Sequence, residues 1–246
     1  MTGKVHKREG DLKPLICMPT YNEKENLPKI LPAIFEHVPD VHVLVIDDQS
    51  PDGTGELADK IASEDERVHV LHRTKKEGLG PAYIAGFRWA IEHGYETILE
   101  MDADFSHQPQ YLPEMIEQTR TYDVVVGSRY IAGGGTSDWG LMRRVISRGG
   151  GMYARTILGV DVQDLTAGFI AWRKNVLEGI DFSDVEASGY VFQIEMKYRA
   201  FKRGYRILEV PIVFPDRQEG DSKMTPDIAL EALWRVWKIR FKGVSK

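Results

Sequence analysis

Short apolar runs alternate with longer amphipathic stretches along the whole chain. Short, mostly apolar runs at residues 14–19, 41–46, 68–71 and from 97 onward read as buried strands, since a parallel strand covered on both faces need not alternate. The stretches between them carry helical spacing and predict helices starting near 26–28 and spanning 54–63 and 81–93. A helix over 109–120, a strand over 123–127, strands over 166–173 and 206–214 and a helix over 190–202 complete the pattern. Repeated strand–helix order specifies an α/β fold: a mostly parallel central sheet with helices on both faces. Pro32 lies deeper in the first helix than proline usually tolerates, which predicts a late start or a bend there.

The strand ends carry the candidate chemistry. In open α/β sheets ligands bind beyond the carboxyl ends of the strands, and here two strands end in acids, at Asp47-Asp48 and at Asp102-Ala103-Asp104. The stretch from Thr97 reads as a strand running out into the acid pair, and side chains alternate along a strand, so Asp102 and Asp104, two apart, share a face at about 6 to 7 Å and can hold one divalent cation. Taken alone, Asp-x-Asp equally describes acids that cap the next helix. Thr20-Tyr21-Asn22-Glu23 leads into a helix N-terminus, where phosphates dock, although Tyr21 also suits plain packing. The loop after the third strand carries Lys75, Lys76, Gly78 and Gly80 but lacks the third glycine of a dinucleotide fingerprint, so close packing of helix on sheet is the reading for its glycines. Gly133-Gly134-Gly135 reads as flexible. After it, Trp139 opens a helix on which Arg143 and Ser147, four apart, share a face. That pair fits phosphate binding or an ordinary solvated face.

Charge is unevenly spread. The net charge of -5 argues against nucleic acid as a partner, yet four arginines and no acid lie between Asp138 and Asp161, and the segment after Glu231 is purely basic. The single Cys17 sits in an apolar run and reads as core. No apolar stretch reaches the roughly 18 to 20 residues that span a bilayer. Three regions follow: a mobile polar arm over 1–13, one catalytic domain over 14–225 and an amphipathic basic helix over 226–246. In that helix Leu230, Leu233, Trp234, Trp237 and Phe241 recur at helical spacing opposite Glu231, Arg235, Lys238 and Lys242, an interfacial pattern that also suits packing on the domain or docking a membrane protein.

Five motifs stand in one order: Pro19-Thr20-Tyr21-Asn22-Glu23; Ile46-Asp47-Asp48 with Ser50-Pro51-Asp52-Gly53-Thr54; Met101-Asp102-Ala103-Asp104; Gly127-Ser128-Arg129-Tyr130; Gly220-Asp221-Ser222-Lys223. Together, over roughly residues 14 to 225, they resemble the dolichol-phosphate (polyprenol-phosphate) mannosyltransferases of glycosyltransferase family 2. The resemblance implies a GT-A fold and transfer of mannose from GDP-mannose to a lipid phosphate with inversion at the sugar carbon. It implies that Pro19, Tyr21, Glu23, Ile46 and Asp48 hold the guanosine end, and that Asp102 and Asp104, with the Ala103 backbone alongside, hold Mg²⁺ or Mn²⁺ on the diphosphate. Arg217 and Lys223 match a donor-contacting loop, and Arg129, Arg143 and Ser147 an acceptor-phosphate site. The chain departs from the pattern at Ser106, where some relatives carry a glutamine metal ligand, and at Thr166-Ala167-Gly168-Phe169, in place of a more usual Ser-Gly-Phe.

The chemistry agrees with these residues. Both reactants would be anions, so transfer needs a cation at the leaving group and separate positive charge at the nucleophile. A phosphate acceptor is already ionised and needs no protein base, which leaves Asp164 as a candidate orienting group and His107 as a structural residue. A UDP-glucose-dependent enzyme would share this scaffold. A phosphohydrolase normally has its nucleophilic Asp after the first strand, whereas Asp102 follows the fourth; a catalytically silent sugar-nucleotide subunit would lack a metal or acceptor residue, and none is missing. The expected enzyme works peripherally on the cytoplasmic face of a membrane, with or without a membrane-protein partner.

Overall fold

The computed structural model describes residues 10–137, 139–185, 189–215 and 226–242. In chain order its elements are β1 (Pro14–Thr20), α1 (Leu27–His37), β2 (His42–Asp47), α2 (Thr54–Glu64), β3 (Val68–His72), α3 (Leu79–Glu92), β4 (Thr97–Glu100), α4 (Leu112–Gln118), β5 (Val124–Ser128), β6 (Gly135–Thr136), α5 (Leu141–Leu158), β7 (Ile170–Arg173), α6 (Lys174–Glu178), α7 (Tyr190–Lys202), β8 (Ile207–Pro211), β9 (Val213–Phe214) and α8 (Pro226–Lys242). Single turns of 3₁₀ helix at Pro109–Tyr111 and Phe182–Asp184 complete them. Seven strands form one sheet in the order β3-β2-β1-β4-β7-β5-β8, and β6 pairs with β9.

Side chains alternate across the strands and so feed two cores. Leu15, Cys17, Leu44 and Ile46 face α3, α5, α7 and α8, while Ile16, Met18, Val43 and Val45 face α1, α2 and α4. The expected sheet is therefore observed, mostly parallel and covered on both faces. One strand breaks the rule: β7 runs antiparallel between β4 and β5. Its first residue, Ile170, pairs with both Glu100 and Val126. The segment leading into β7, residues 164–169, therefore lies at the carboxyl edge beside the ends of β4 and β5.

Several expectations are corrected. The helix over 109–120 is a 3₁₀ turn followed by the shorter α4, and the strand over 166–173 is confined to β7. The strand over 206–214 is broken at Ile212 into β8 and β9. Trp139 precedes rather than opens α5. Helix α1 starts on time at Leu27 and runs through Pro32. The glycine triplet is pinned rather than flexible: Gly134 N–H donates to Ile131 O at 3.0 Å and Gly135 N–H to Ile212 O at 2.9 Å, and a Cβ on Gly134 would stand 2.5 Å from the Ser128 carbonyl oxygen. Helix α3 does pack closely on the sheet, but through Gly86, where a Cβ would stand 2.5 Å from Ile46 Cδ1 and 3.1 Å from Cys17 Sγ; Gly78 meets nothing within 4 Å and serves a φ of +96°. Of the polar arm, residues 1–9 lie outside the described residues; Gly10 O accepts a hydrogen bond from Arg120 Nη1 at 2.8 Å.

Two alanine substitutions in helices should therefore have opposite signs. Gly86→Ala overpacks the β1–β2–α3 contact and should destabilise by about 1–3 kcal/mol. Gly149→Ala, in the interior of α5 where a Cβ would meet nothing within 4 Å, should stabilise by about 0.5–1 kcal/mol. Denaturant midpoints at constant m-value check both.

Candidate active site

The first part of the site is built from the loops after β1, β2 and β3. Asp47 ties down the turn after β2 by accepting hydrogen bonds from the Ser50 hydroxyl (2.6 Å) and amide (3.1 Å) and, more weakly, from the Thr20 hydroxyl (3.3 Å). Asp52 accepts from Thr54 and from the Lys24 amide, and the Thr54 hydroxyl accepts the Glu23 amide at 3.0 Å, so the loops after β1 and β2 are laced together. Tyr21 projects from this frame, exposed, with Lys76 Nζ 3.3 Å above its ring centroid. Glu23 Oε2 accepts from Asn26 Nδ2 at 2.7 Å.

Asp48 is buried beside Arg73, whose Nη1 donates to it at 2.6 Å while Nη2 donates to Glu77 at 2.9 Å. Burial pushes the Asp48 carboxyl up from its ordinary value, and the Arg73 guanidinium offsets only part of that. Arg73 was not singled out from the sequence. The parallel register holds the clue, because β2 and β3 align Asp47 with His72 and so bring the next residues, Asp48 and Arg73, side by side. Pro19 and Ile46 are register partners across β1 and β2, but the Ile46 side chain is committed to the core against α3.

The second part is the acidic loop. Strand β4 stops at Glu100, so Asp102 and Asp104 do not sit on a strand as expected; they lie in a bend whose Phe105 has a φ of +61°. Exposure still alternates, with Met101 and Ala103 buried and both carboxylates half-buried toward solvent. Asp104 Oδ1 accepts the Ser106 amide at 3.0 Å, and Asp102 Oδ1 accepts from the buried Tyr83 hydroxyl at 3.4 Å. His107 is structural: it is buried, its Nδ1 accepts the Asp102 amide at 2.9 Å, and its ring stacks on Phe169 at 4.9 Å. The loop also holds a buried oxygen without a hydrogen-bond partner, Ser106 Oγ. Two carboxylates and a hydroxyl form a hard oxygen donor set that fits Mg²⁺ or Mn²⁺. Among the described residues no group of three or more His, Cys, Asp and Glu side chains converges to hold a metal, so the remaining ligands would come from substrate phosphates or water.

The third part is cationic. Arg129, just after β5, donates through Nε and Nη2 to the fully buried Asp164 at 2.7 Å each, and Nη2 also reaches Thr166 Oγ1 at 2.8 Å. Burial alone would raise the Asp164 carboxyl; the Arg129 hydrogen bonds and charge reverse this and hold it below its ordinary value. The guanidinium lies against Tyr130, Trp139 and Phe214, at 5.2, 5.6 and 5.4 Å from their ring centroids. On α5, Arg143 stacks on Trp139 at 4.0 Å and Ser147 accepts the Tyr130 hydroxyl at 2.6 Å. The structure thus brings Arg129, Arg143 and Ser147 together. Arg217 and Lys223 lie outside the described residues.

An aromatic wall joins the acidic and cationic parts. His107 meets the Phe214 ring at 5.7 Å, Phe214 meets Trp139 at 5.8 Å, and Trp139 carries both arginines. Beneath the wall lies a buried polar network that sequence reasoning missed. Glu100 accepts from Trp172 Nε1 at 2.6 Å and from Gln193 Nε2, and Lys197 donates to the Ala167 carbonyl at 2.6 Å. Burial drives the Glu100 carboxyl up and the Lys197 ammonium down from their ordinary values.

Sheet order, edge loops and paired acids define a GT-A-like fold. A model of "Glycosyl transferase family 2" matches residues 15–181, and the chain belongs to that family and is a glycosyltransferase. It is 50% identical over 92% of its length to undecaprenyl-phosphate mannosyltransferase of Micrococcus luteus, covering 93% of that protein. It is 48% identical to polyprenol monophosphomannose synthase of Mycolicibacterium smegmatis, over 92% of this chain and 87% of that one. Among solved structures it shares its fold with glucosyl-3-phosphoglycerate synthase of Mycobacterium tuberculosis in complex with Mn²⁺, UDP and glucosyl-3-phosphoglycerate: TM-score 0.66, 18% identity, 95% of this chain and 81% of the other. A mannosyltransferase of Pyrobaculum calidifontis in complex with GDP-Man and Mn²⁺ is similar at TM-score 0.53 and 16% identity, over 95% and 76%.

Removing the carboxylate partner of Arg129 strands a buried charge, so Asp164→Ala should cost about 3–5 kcal/mol of stability at neutral pH. The sign with pH follows from the depressed Asp164 value. The carboxylate stabilises the fold above its unfolded-state value of about 3.9 and ceases to as pH falls through the lower folded one. The gap between the unfolding free energies of wild type and variant, followed into acid, should therefore begin to narrow below about pH 4 and go on narrowing as pH falls through the lower folded value.

Proposed function

We propose that this glycosyltransferase moves mannose from GDP-mannose to a polyprenyl (dolichyl) monophosphate, giving polyprenyl phosphate β-mannose with inversion, and that it requires Mg²⁺ or Mn²⁺. One observation carries the reading: a carboxylate loop and an arginine cluster, each suited to one of two anionic reactants, share one sheet edge and one aromatic wall. The names of relatives at about half identity support the sugar and the lipid class.

On this reading Tyr21, Glu23, Asp48 and the Arg73 and Lys76 cations receive the nucleotide, with Arg217 and Lys223 as further donor contacts. Asp102 and Asp104 hold the divalent ion, which when bound neutralises charge on the departing diphosphate. Arg143 and Ser147 receive the acceptor phosphate, and Arg129, held by Asp164, completes that side. The acceptor oxygen is already anionic, so no side chain has to take its proton. Among the described residues no helix is long and apolar enough to cross a membrane, in keeping with a peripheral enzyme that meets its lipid at the cytoplasmic surface.

Two substitutions separate the halves of the site. Asp104→Ala should lower turnover by about 10² to 10³ without unfolding the protein, in line with loss of one electrostatic stabiliser, and EDTA should silence the wild type. Arg143→Ala should raise the KM for a short polyprenyl phosphate while leaving GDP-mannose affinity near normal, as read by steady-state kinetics and donor titration. Mass spectrometry of products from GDP-mannose and UDP-glucose offered together decides the donor. A glucosylated lipid, or full activity in EDTA, would overturn the reading.

A further inference from the structure

Three side chains at the amino edge of the sheet, opposite the active site, bring their polar atoms together. His42 opens β2, His69 lies in β3 and Tyr95 stands just before β4. The parallel register pairs His69 with Leu44, and His42, two residues before Leu44, shares that face, the one covered by α3. Tyr95 reaches them from the turn after α3, where its amide donates to Ala90 O at 3.1 Å. His42 Nδ1 lies 3.0 Å from His69 Nε2, and the Tyr95 hydroxyl oxygen is 2.8 Å from the first and 3.0 Å from the second. All three residues are half-buried, which leaves the cluster a way in from solvent.

We propose that His42, His69 and Tyr95 bind a transition ion of the Zn²⁺ class through two imidazole nitrogens and one phenol oxygen. The hydrogen-bond count points to an ion. A neutral imidazole nitrogen offers either one N–H or one lone pair, and the phenol has one proton, so protons satisfy only two edges of this triangle at a time. The third edge is left as a bare contact. An ion at about 2.0–2.1 Å from imidazole nitrogen, the ordinary Zn–N length, meets all three atoms from one position above the triangle. Ligand type selects the ion: imidazole favours Zn²⁺, Cu²⁺ and Ni²⁺, whereas Mg²⁺ and Mn²⁺ suit the oxygen set of Asp102 and Asp104. The Trp89 ring, 5.1 Å from that of His69 and 5.9 Å from that of Tyr95, walls the cluster on one side, and an apolar wall of this kind limits solvent at a metal. The site stands apart from the residues of sugar transfer, and a bound ion would pin the starts of β2 and β3 to the connection between α3 and β4.

The test uses the full chain, freed of metal with EDTA and dialysed, then titrated with Zn²⁺ by calorimetry and read again as a shift in melting temperature. Wild type should bind Zn²⁺ through this cluster and melt higher in its presence. The acidic loop also attracts divalent ions, so both measurements are repeated in the double variant Asp102→Asn, Asp104→Asn, which should keep the Zn²⁺ response. Loss of an outer partner alone costs about 10–100-fold in metal affinity, so His42→Gln and His69→Gln, which each remove a ligand, should weaken binding by at least that much, and Tyr95→Phe by about tenfold. Tyr95→Phe keeps its ring and carries the test where a histidine variant fails to fold. Cu²⁺ supplies a signature that packing does not imitate: a tyrosinate-to-copper charge-transfer band in the visible, present in wild type and lost in Tyr95→Phe. Absence of a Zn²⁺ response in the double aspartate variant, or equal affinity in wild type and the three ligand variants, overturns the proposal. So does a copper spectrum that Tyr95→Phe leaves unchanged. None of these readouts uses a sugar nucleotide or a lipid, so the result stands or falls separately from the proposed function.

Discussion

A carboxylate removed from water survives only where its charge is met, and the site depends on how that is done at Asp164. The residue is fully buried; Arg129 donates to both its oxygens, and Glu209 accepts the amides of Gln163 and Asp164 at 2.7 and 2.9 Å. Lys197 holds the next turn through Ala167 O. With the segment before β7 fixed in this way, Phe169 is placed under His107, and His107 in turn fixes the Asp102 amide. The position of the acidic loop thus depends, through a chain of contacts, on an ion pair belonging to the other half of the site. Buried pairs of this kind contribute little net stability against an apolar replacement but are costly to break, which suits a device that fixes geometry.

Backbone strain has the same distribution. Asn22, Gln49 and Phe105 adopt φ values of +62, +58 and +61°, and they follow β1, β2 and β4. Each costs of order 1 kcal/mol or more, and the laced hydrogen bonds of Asp47, Asp52 and Thr54 hold the first two in place. At each of these strand ends the chain turns sharply just where acids and amides must face a ligand. The loops after β1 and β2 are laced by side-chain hydrogen bonds, whereas Arg129, after β5, and Arg143, on α5, lie against aromatic rings.

Much of this was legible in the sequence, and the failures have physical reasons. The apolar runs marked the buried strands because burial on both faces leaves a continuous signature. Direction leaves none: β7 reads like any other strand, so its antiparallel entry, which brings 164–169 to the site, could not be read. The acid pair was found, but the strand carrying it ends at Glu100, and the expected period-two geometry does not apply. Helix α7 was expected as a helix over 190–202 and is one, but its burial was not legible. Phe192, Ile194, Met196 and Tyr198 alternate with Gln193, Glu195, Lys197 and Arg199, the pattern of a half-buried strand, yet every residue from 191 to 200 is buried within a helix. A helix buried all round has no polar face to detect, so the partners of its polar groups, Glu100 for Gln193 and the Ala167 carbonyl for Lys197, emerge only when the chain is folded.

An acceptor that is already an anion changes what the protein must supply. An alcohol acceptor needs a base tuned near neutrality; a phosphate needs lasting positive charge and exclusion of wrong orientations. Arginine suits this because it stays protonated at any pH the fold survives and presents planar, directional donors. Its aromatic setting adds to this: Trp139, Tyr130 and Phe214 lie against the Arg129 guanidinium and Trp139 against that of Arg143, and a ring face steadies a guanidinium plane without occupying its in-plane donors. Arg129 is paired with the fully buried Asp164, and burial explains why it must be. Depth thus decides how Arg129 is held: with water excluded, a carboxylate meets its charge, and the surrounding rings fix its plane.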